Sequence, residues 1–199
     1  MKILTLDIGG SFIKYALFEN GMLTQPGSVP TQASLGPEAL LQTILRLAAR
    51  FPEKEAVGIS FASQINPTEG YISSATGTFP GFTGLPIKAL LEQELGVPVS
   101  IDNDVNCAAV GEGHQGAAAG CPDFLCLTYG TGIGGAIAIG GSLYYGQTFA
   151  AGEVGHMTLY AGGLRCNCGR QGCYEAYAST AALIRRVYEE HGLTLDGRE

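Results

Sequence analysis

Twice along this 199-residue chain a short apolar strand runs into a glycine turn, comes back as a second strand, and then turns again. The first copy reads Leu4-Thr5-Leu6-Asp7-Ile8-Gly9-Gly10, and the second Leu127-Thr128-Tyr129-Gly130-Thr131-Gly132-Ile133. The following turns, Asn20-Gly21-Met22-Leu23 and Gly140-Gly141-Ser142-Leu143, also match. Repetition at this spacing predicts two related halves with a cleft between them, each opening on an antiparallel meander.

Between the meanders the pattern changes to alternating helix and strand. Pro37 to Phe51 carries a helical apolar stripe with proline in its first turn, and Ala56 to Phe61 reads as a buried strand. A turn-rich stretch from Ser63 to Gly84 leads to a helix from Pro86 to Leu95, stopped by Gly96, and a strand from Val97 to Ile101. A small-residue helix, Val105 to Glu112, runs down at Gly113 and Gly116. The economical arrangement is an α/β fold on a parallel sheet. The glycine-rich step near Gly116 to Cys121 divides it into lobes at 1–116 and 117–199. In the second lobe strands are expected at 125–129, 136–139 and 142–145, a glycine turn at 130–135, and a helix at 181–191. The chain stops soon after that helix, so this lobe reads as incomplete.

Composition removes several function classes. Eleven Lys and Arg against 18 Asp and Glu give a net charge of −7 with no basic block, a poor match to nucleic acid. No stretch approaches the roughly 20 apolar residues of a membrane span. The start, Met1-Lys2-Ile3-Leu4-Thr5-Leu6-Asp7, has no secretory pattern, so a cytoplasmic protein is expected.

Gly130, Gly132 and Gly135 satisfy the spacing of a dinucleotide fingerprint, but a strand rather than a helix follows. Glycine turns between antiparallel strands instead let backbone N–H groups approach an anion. Two such turns, at Asp7 to Ser11 and Gly130 to Gly135, could grip a nucleotide phosphate chain with Asp7 holding Mg²⁺. Either alone reads more readily as an ordinary tight turn, and the duplication shifts the reading toward phosphate. Asp102-Asn103-Asp104 places three polar side chains where a strand meets a helix. This is a place for ligands in open α/β sheets, and one carboxylate could serve as general base; it is also a natural helix cap.

His156, Cys166, Cys168 and Cys173 form H-x9-C-x-C-x4-C, interleaved with glycines that let four ligands converge. A closed tetrahedral zinc site is the stronger reading; a disulfide is disfavoured in a reducing compartment. Cys107, Cys121 and Cys126 are scattered. Glu153 lies three residues before His156 and Glu175 two after Cys173, where a metal would hold both in place.

Asp7-Ile8-Gly9-Gly10-Ser11, Asp102-Asn103-Asp104-Val105-Asn106, Gly130-Thr131-Gly132-Ile133-Gly134-Gly135 and Gly152-Glu153-Val154-Gly155-His156 through Cys173 occur in the order seen in ROK-family sugar kinases. The resemblance covers nearly the whole chain, and it implies the actin-like ATPase (RNase H-like) fold. It makes Asp104 the general base for transfer of the ATP γ-phosphoryl to a hexose hydroxyl. Asn103, Asp104, Glu153, His156 and Glu175 become sugar ligands. Asp7, Gly9, Gly10, Ser11 and Lys14 match the first phosphate motif, with Ser11 in place of the usual threonine; Gly130, Thr131 and Gly132 match the second. ATP, Mg²⁺ and a structural Zn²⁺ held by His156, Cys166, Cys168 and Cys173 follow. A homodimer is expected, as is common in the family. Family members continue into segments that complete the second lobe and hold the adenosine. An inactive sugar-binding or regulatory module of the same type is the alternative. The sugar-responsive repressors of the family carry a helix-turn-helix before the first phosphate motif, whereas Asp7 lies almost at the start.

Overall fold

The computed structural model describes residues 1–75 and 77–195. They divide into two compact units, Met1–Cys107 and Ala108–Glu199, the second described through residue 195. The division falls inside a helix, earlier in the chain than the glycine-rich step at 116.

The first unit opens with β1 (Ile3–Ile8), β2 (Phe12–Glu19) and β3 (Met22–Pro30), followed by α1 (Pro37–Ala48) and β4 (Ala56–Phe61). A small hairpin, β5 (Gln64–Asn66) and β6 (Tyr71–Ser74), precedes α2 (Ile87–Leu95), β7 (Val99–Asn103) and α3 (Asp104–Gln115). The main sheet has the order β3-β2-β1-β4-β7, antiparallel in the meander and parallel across β1, β4 and β7. One face of it is the core: Leu4, Leu6 and Ile8 of β1 join Val57, Ile59 and Phe61 of β4, with Leu40, Ile44 and Leu47 from α1. Each such side chain contributes about 1.5–3 kcal/mol when buried. The period-2 alternation aims the intervening residues, among them Thr5, Asp7 and Ser60, at the opposite face.

β3 runs through Pro26 and Pro30, beyond the Met22–Thr24 strand that the sequence predicts. Proline is tolerated there because β3 is the sheet edge. The β5–β6 hairpin lies in a stretch expected to be turns only. Asn66 Oδ1 accepts from the N–H groups of Thr68 and Glu69 at 3.0 and 3.1 Å, closing the connection. β7 extends two residues past the expected Ile101, which carries Asp102 and Asn103 to the strand end and makes Asp104 the first residue of α3.

The second unit contains β8 (Phe124–Tyr129), β9 (Ile133–Ile139) and β10 (Ser142–Leu143), in the order β10-β9-β8. A single helical turn at Val154–His156 follows, then α4 (Glu175–Ala178) and α5 (Thr180–His191). Ser179 caps α5, its hydroxyl accepting from Ala182 N–H at 3.1 Å. β9 starts at Ile133, so the turn comprises 130–132 rather than 130–135. Gly134 and Gly135 belong to the strand, and close packing explains Gly135: a Cβ on it would strike the Gly152 carbonyl, and one on Gly155 would strike that of Ile133. These glycines let the 152–156 loop lie directly on β9.

Candidate functional site

In the first unit, pairing places Lys14, Asp7, Ser60 and Asp102 in one row across β2, β1, β4 and β7. A groove of about 470 Å³ passes over this row. Asp7 Oδ1 accepts from the Ser60 hydroxyl at 2.9 Å, while its Oδ2 lies 3.8 Å from Lys14 Nζ. The carboxylate is half exposed, as a group must be if it is to meet a hydrated cation. The Gly9-Gly10-Ser11 turn joins the end of β1 to β2, closed by Gly9 N–H donating to the Phe12 carbonyl at 3.1 Å.

At the far edge of the sheet, Asn103 performs the cap that its position predicts. Its Oδ1 accepts from Val105 and Asn106 N–H at 2.9 and 3.2 Å. Its amide nitrogen donates to the Ser63 carbonyl at 3.2 Å and to Asp104 Oδ1 at 2.8 Å. Asp102 Oδ1 accepts from Asn103 N–H and from the Asn106 side chain. Asp104 Oδ1 also takes Val105 N–H at 3.0 Å. Burial pushes the Asp104 carboxyl above its ordinary range, the Val105 hydrogen bond opposes this, and the negative charge of Asp7 adds to the rise. The cap thus falls to Asn103, and the carboxyl raised by burial is that of its neighbour Asp104.

In the second unit the four candidate metal ligands converge. Their donor atoms all lie within 4.8 Å of one another. Cys168 and Cys173 sulfurs are 3.6 Å apart, and Cys166 Sγ is 3.7 Å from His156 Nδ1. Tetrahedral zinc with Zn–S of about 2.3 Å and Zn–N of about 2.0–2.1 Å sets edges of roughly 3.6–3.8 Å, the spacing of these two pairs, so the donor types and their convergence suit the ion. Burial raises the Cys166 and Cys173 thiols. At Cys168 burial is outweighed by hydrogen bonds from Arg170 and the neighbouring cysteines, which bring the thiol down to about 6. One ligand is therefore ready to be a thiolate.

Both candidate carboxylates stand on this cluster. Glu153 Oε2 lies 3.9 Å from His156 Nε2, and Glu175 Oε1 lies 3.5 Å from His156 Nδ1 and 3.0 Å from Cys166 Sγ. Glu175 Oε2 accepts from Ile133 N–H at 3.3 Å, just after the Gly130-Thr131-Gly132 turn. The Tyr129 and Tyr174 hydroxyls meet at 3.1 Å beside it. The sequence reading brought forward neither Ser60 nor the tyrosine pair. Ser60 was detectable only through the parallel register of β1 with β4, and the tyrosines only through a contact 45 residues apart.

Residues 3–199 match the family described as the ROK family. The chain belongs to the ROK family. A glucokinase from Streptomyces coelicolor is 36% identical over 198 residues, covering 98% of this chain and 61% of that protein. A beta-glucoside kinase from Listeria innocua is 36% identical over 192 residues, covering 96% and 63%. The crystal structure of a ROK glucokinase from Streptomyces griseus, in complex with glucose and AMPPNP, matches with TM-score 0.83 at 35% identity over 95% of this chain and 61% of that one. This ROK chain therefore has the actin-like ATPase fold implied by its motifs, and it spans about three fifths of the length of the curated relatives it matches. Among its described residues no helix is long and apolar enough to cross a membrane.

Proposed function

We propose that this chain carries the reacting centre of an ATP-dependent hexose kinase, with glucose the first substrate to test and a β-glucoside the second. The observation that carries the reading is Asp104. It starts a helix, is held by Asn103 and Val105 through one carboxylate oxygen, and is raised in pKa by burial. A carboxylate so placed can accept the proton of a sugar hydroxyl through Oδ2 as that oxygen attacks the γ-phosphoryl. The kinship with a glucokinase and a beta-glucoside kinase supports the substrate class.

Asn103, Glu153, His156 and Glu175 are the proposed hydroxyl partners of the sugar, besides Asp104 itself. Glycines 9, 10, 130 and 132, with Ser11, Lys14 and Thr131, receive the nucleotide phosphates. Asp7 holds Mg²⁺, which offsets charge on those phosphates. His156, Cys166, Cys168 and Cys173 hold Zn²⁺, which supplies rigidity to the loop bearing Glu153 and Glu175. His156 presents Nδ1 to the cysteines and keeps Nε2 on the Glu153 side. We further assign the protein to the cytoplasm, as a homodimer.

The test is sugar-dependent ATP consumption with Mg²⁺ and a hexose and glucoside panel, with the Asp104→Asn protein measured in parallel. Turnover lost in that variant supports the assignment. Sugar binding with no turnover in either protein would favour an inactive sugar-binding module.

A further inference from the structure

Thr31 follows β3 and has no solvent-exposed surface, an uncommon place for a hydroxyl. Its Oγ1 donates to the Gly9 carbonyl at 2.7 Å, and its backbone N–H donates to the Ser11 carbonyl at 3.0 Å. One buried residue therefore grips both ends of the first glycine turn from behind.

The geometry of the peptide group gives this grip a direction. A trans peptide is planar, with its C=O and N–H on opposite sides, and no peptide bond among the described residues is cis. Holding the Gly9 carbonyl toward Thr31 turns the Gly10 N–H away from the core, to the exposed side of the turn. Gly10 and Ser11 are both exposed, and among the described residues neither N–H donates to a backbone carbonyl in the turn. A Cβ on Gly10 would collide with the Thr78 methyl, so this position has no room for a side chain of its own. The second turn is held in a similar way: Thr180 N–H donates to the Gly130 carbonyl at 2.9 Å, which turns the Thr131 N–H away from Thr180.

We propose that Thr31 is a positioning residue for nucleotide binding: its hydroxyl fixes the Gly9–Gly10 peptide plane so that the Gly10 N–H faces an incoming phosphate. The proposal rests on the reading that this turn receives the phosphate chain. Two consecutive glycines have wide conformational freedom, and a turn without the hydroxyl must be ordered at the moment of binding.

The test compares Thr31→Val, which keeps the branched shape and the backbone N–H, with Thr31→Ser, which keeps the hydroxyl. Calorimetric titration with Mg·AMPPNP should show affinity falling about tenfold in the valine protein and within about twofold of the parent in the serine protein. Affinity for the bound sugar should not change in either. In ligand-free protein, the Gly9 carbonyl ¹³C resonance should move in the valine variant and stay in place in the serine variant. If Thr31→Val fails to fold, Thr31→Ala carries the same comparison. Equal AMPPNP affinity in parent and valine proteins would overturn the role of Thr31 alone, as would an equal loss in the serine protein, which would point to packing. A parent whose Gly10 amide resonance responds neither to Mg·AMPPNP nor to magnesium tripolyphosphate would overturn the phosphate-turn reading together with this one.

Discussion

Asn103 donates its side-chain amide to Asp104 Oδ1 at 2.8 Å while its own Oδ1 caps the helix that Asp104 begins. The two functions read from this triplet, helix capping and proton transfer, are thereby joined: the cap holds the candidate base in one rotamer.

Replacing the candidate base should separate chemistry from binding. Asp104→Asn should lower turnover by about 10²–10⁴-fold, the usual contribution of general-base catalysis, with sugar affinity retained. Steady-state kinetics beside sugar calorimetry checks it, and near-parent turnover would remove Asp104 from the mechanism.

The same variant carries a pH signature. Burial raises the folded-state pKa of Asp104, so this group favours folding below the ordinary carboxylate value of about 3.9, and that contribution is lost as pH rises through the raised value. Asp104→Asn removes the dependence. It should be at least as stable as the parent at pH 7, with any advantage gone near pH 3, as read from urea unfolding at both values. Lower stability at pH 7 would show that the charge is favourably paired.

Asn103→Ala removes a cap and a hydrogen bond to the base. The cap is worth about 1 kcal/mol in unfolding free energy. Turnover should fall as well, with a larger effect on kcat than on nucleotide KM, because the lost contact orients Asp104 and touches no phosphate.

Metal removal should act on sugar binding. Cys168→Ser, or chelation of the parent, should release one zinc per chain and weaken sugar affinity together, measured by metal analysis and calorimetry on the same samples. Zinc loss with unchanged sugar affinity would detach the cluster from Glu153 and Glu175.

The repeated strands differ in cover. Leu4 and Leu6 of β1 are 0% and 2% exposed, whereas their counterparts in β8, Leu127 and Tyr129, are 40% and 54% exposed. With Leu125 also outward, the 199-residue chain should bind an apolar dye, and Leu125→Lys with Leu127→Thr should reduce the signal at little cost in stability. A dye-silent parent would mean that this face is covered in solution.

Legibility followed distance along the chain. The candidate zinc ligands lie within 18 residues, His156 to Cys173, and their spacing and chemistry suffice to single them out. The cap at Asn103 acts on residues two and three ahead. The short β5–β6 pair was hidden because strands of three and four residues carry too little periodicity, and the start of β9 because glycines pair as strand without a side-chain pattern. The glycines of β9 read as a turn because their purpose, the close approach of the 152–156 loop, is tertiary.

By itself the sequence determined the duplicated meander, the family motifs and the identity of the groups able to bind metal or accept a proton, since these depend on residue type and local spacing. Only the tertiary structure decided that Ser60 orients Asp7, that Thr31 holds the Gly9 carbonyl, that Glu175 reaches Ile133 at the start of β9, and which sheet face is left uncovered. The physical reason is that strand register and long-range hydrogen bonds are set by how buried faces pack against one another, and a one-residue slip of β1 or β4 would send Asp7 or Ser60 to the other side of the sheet.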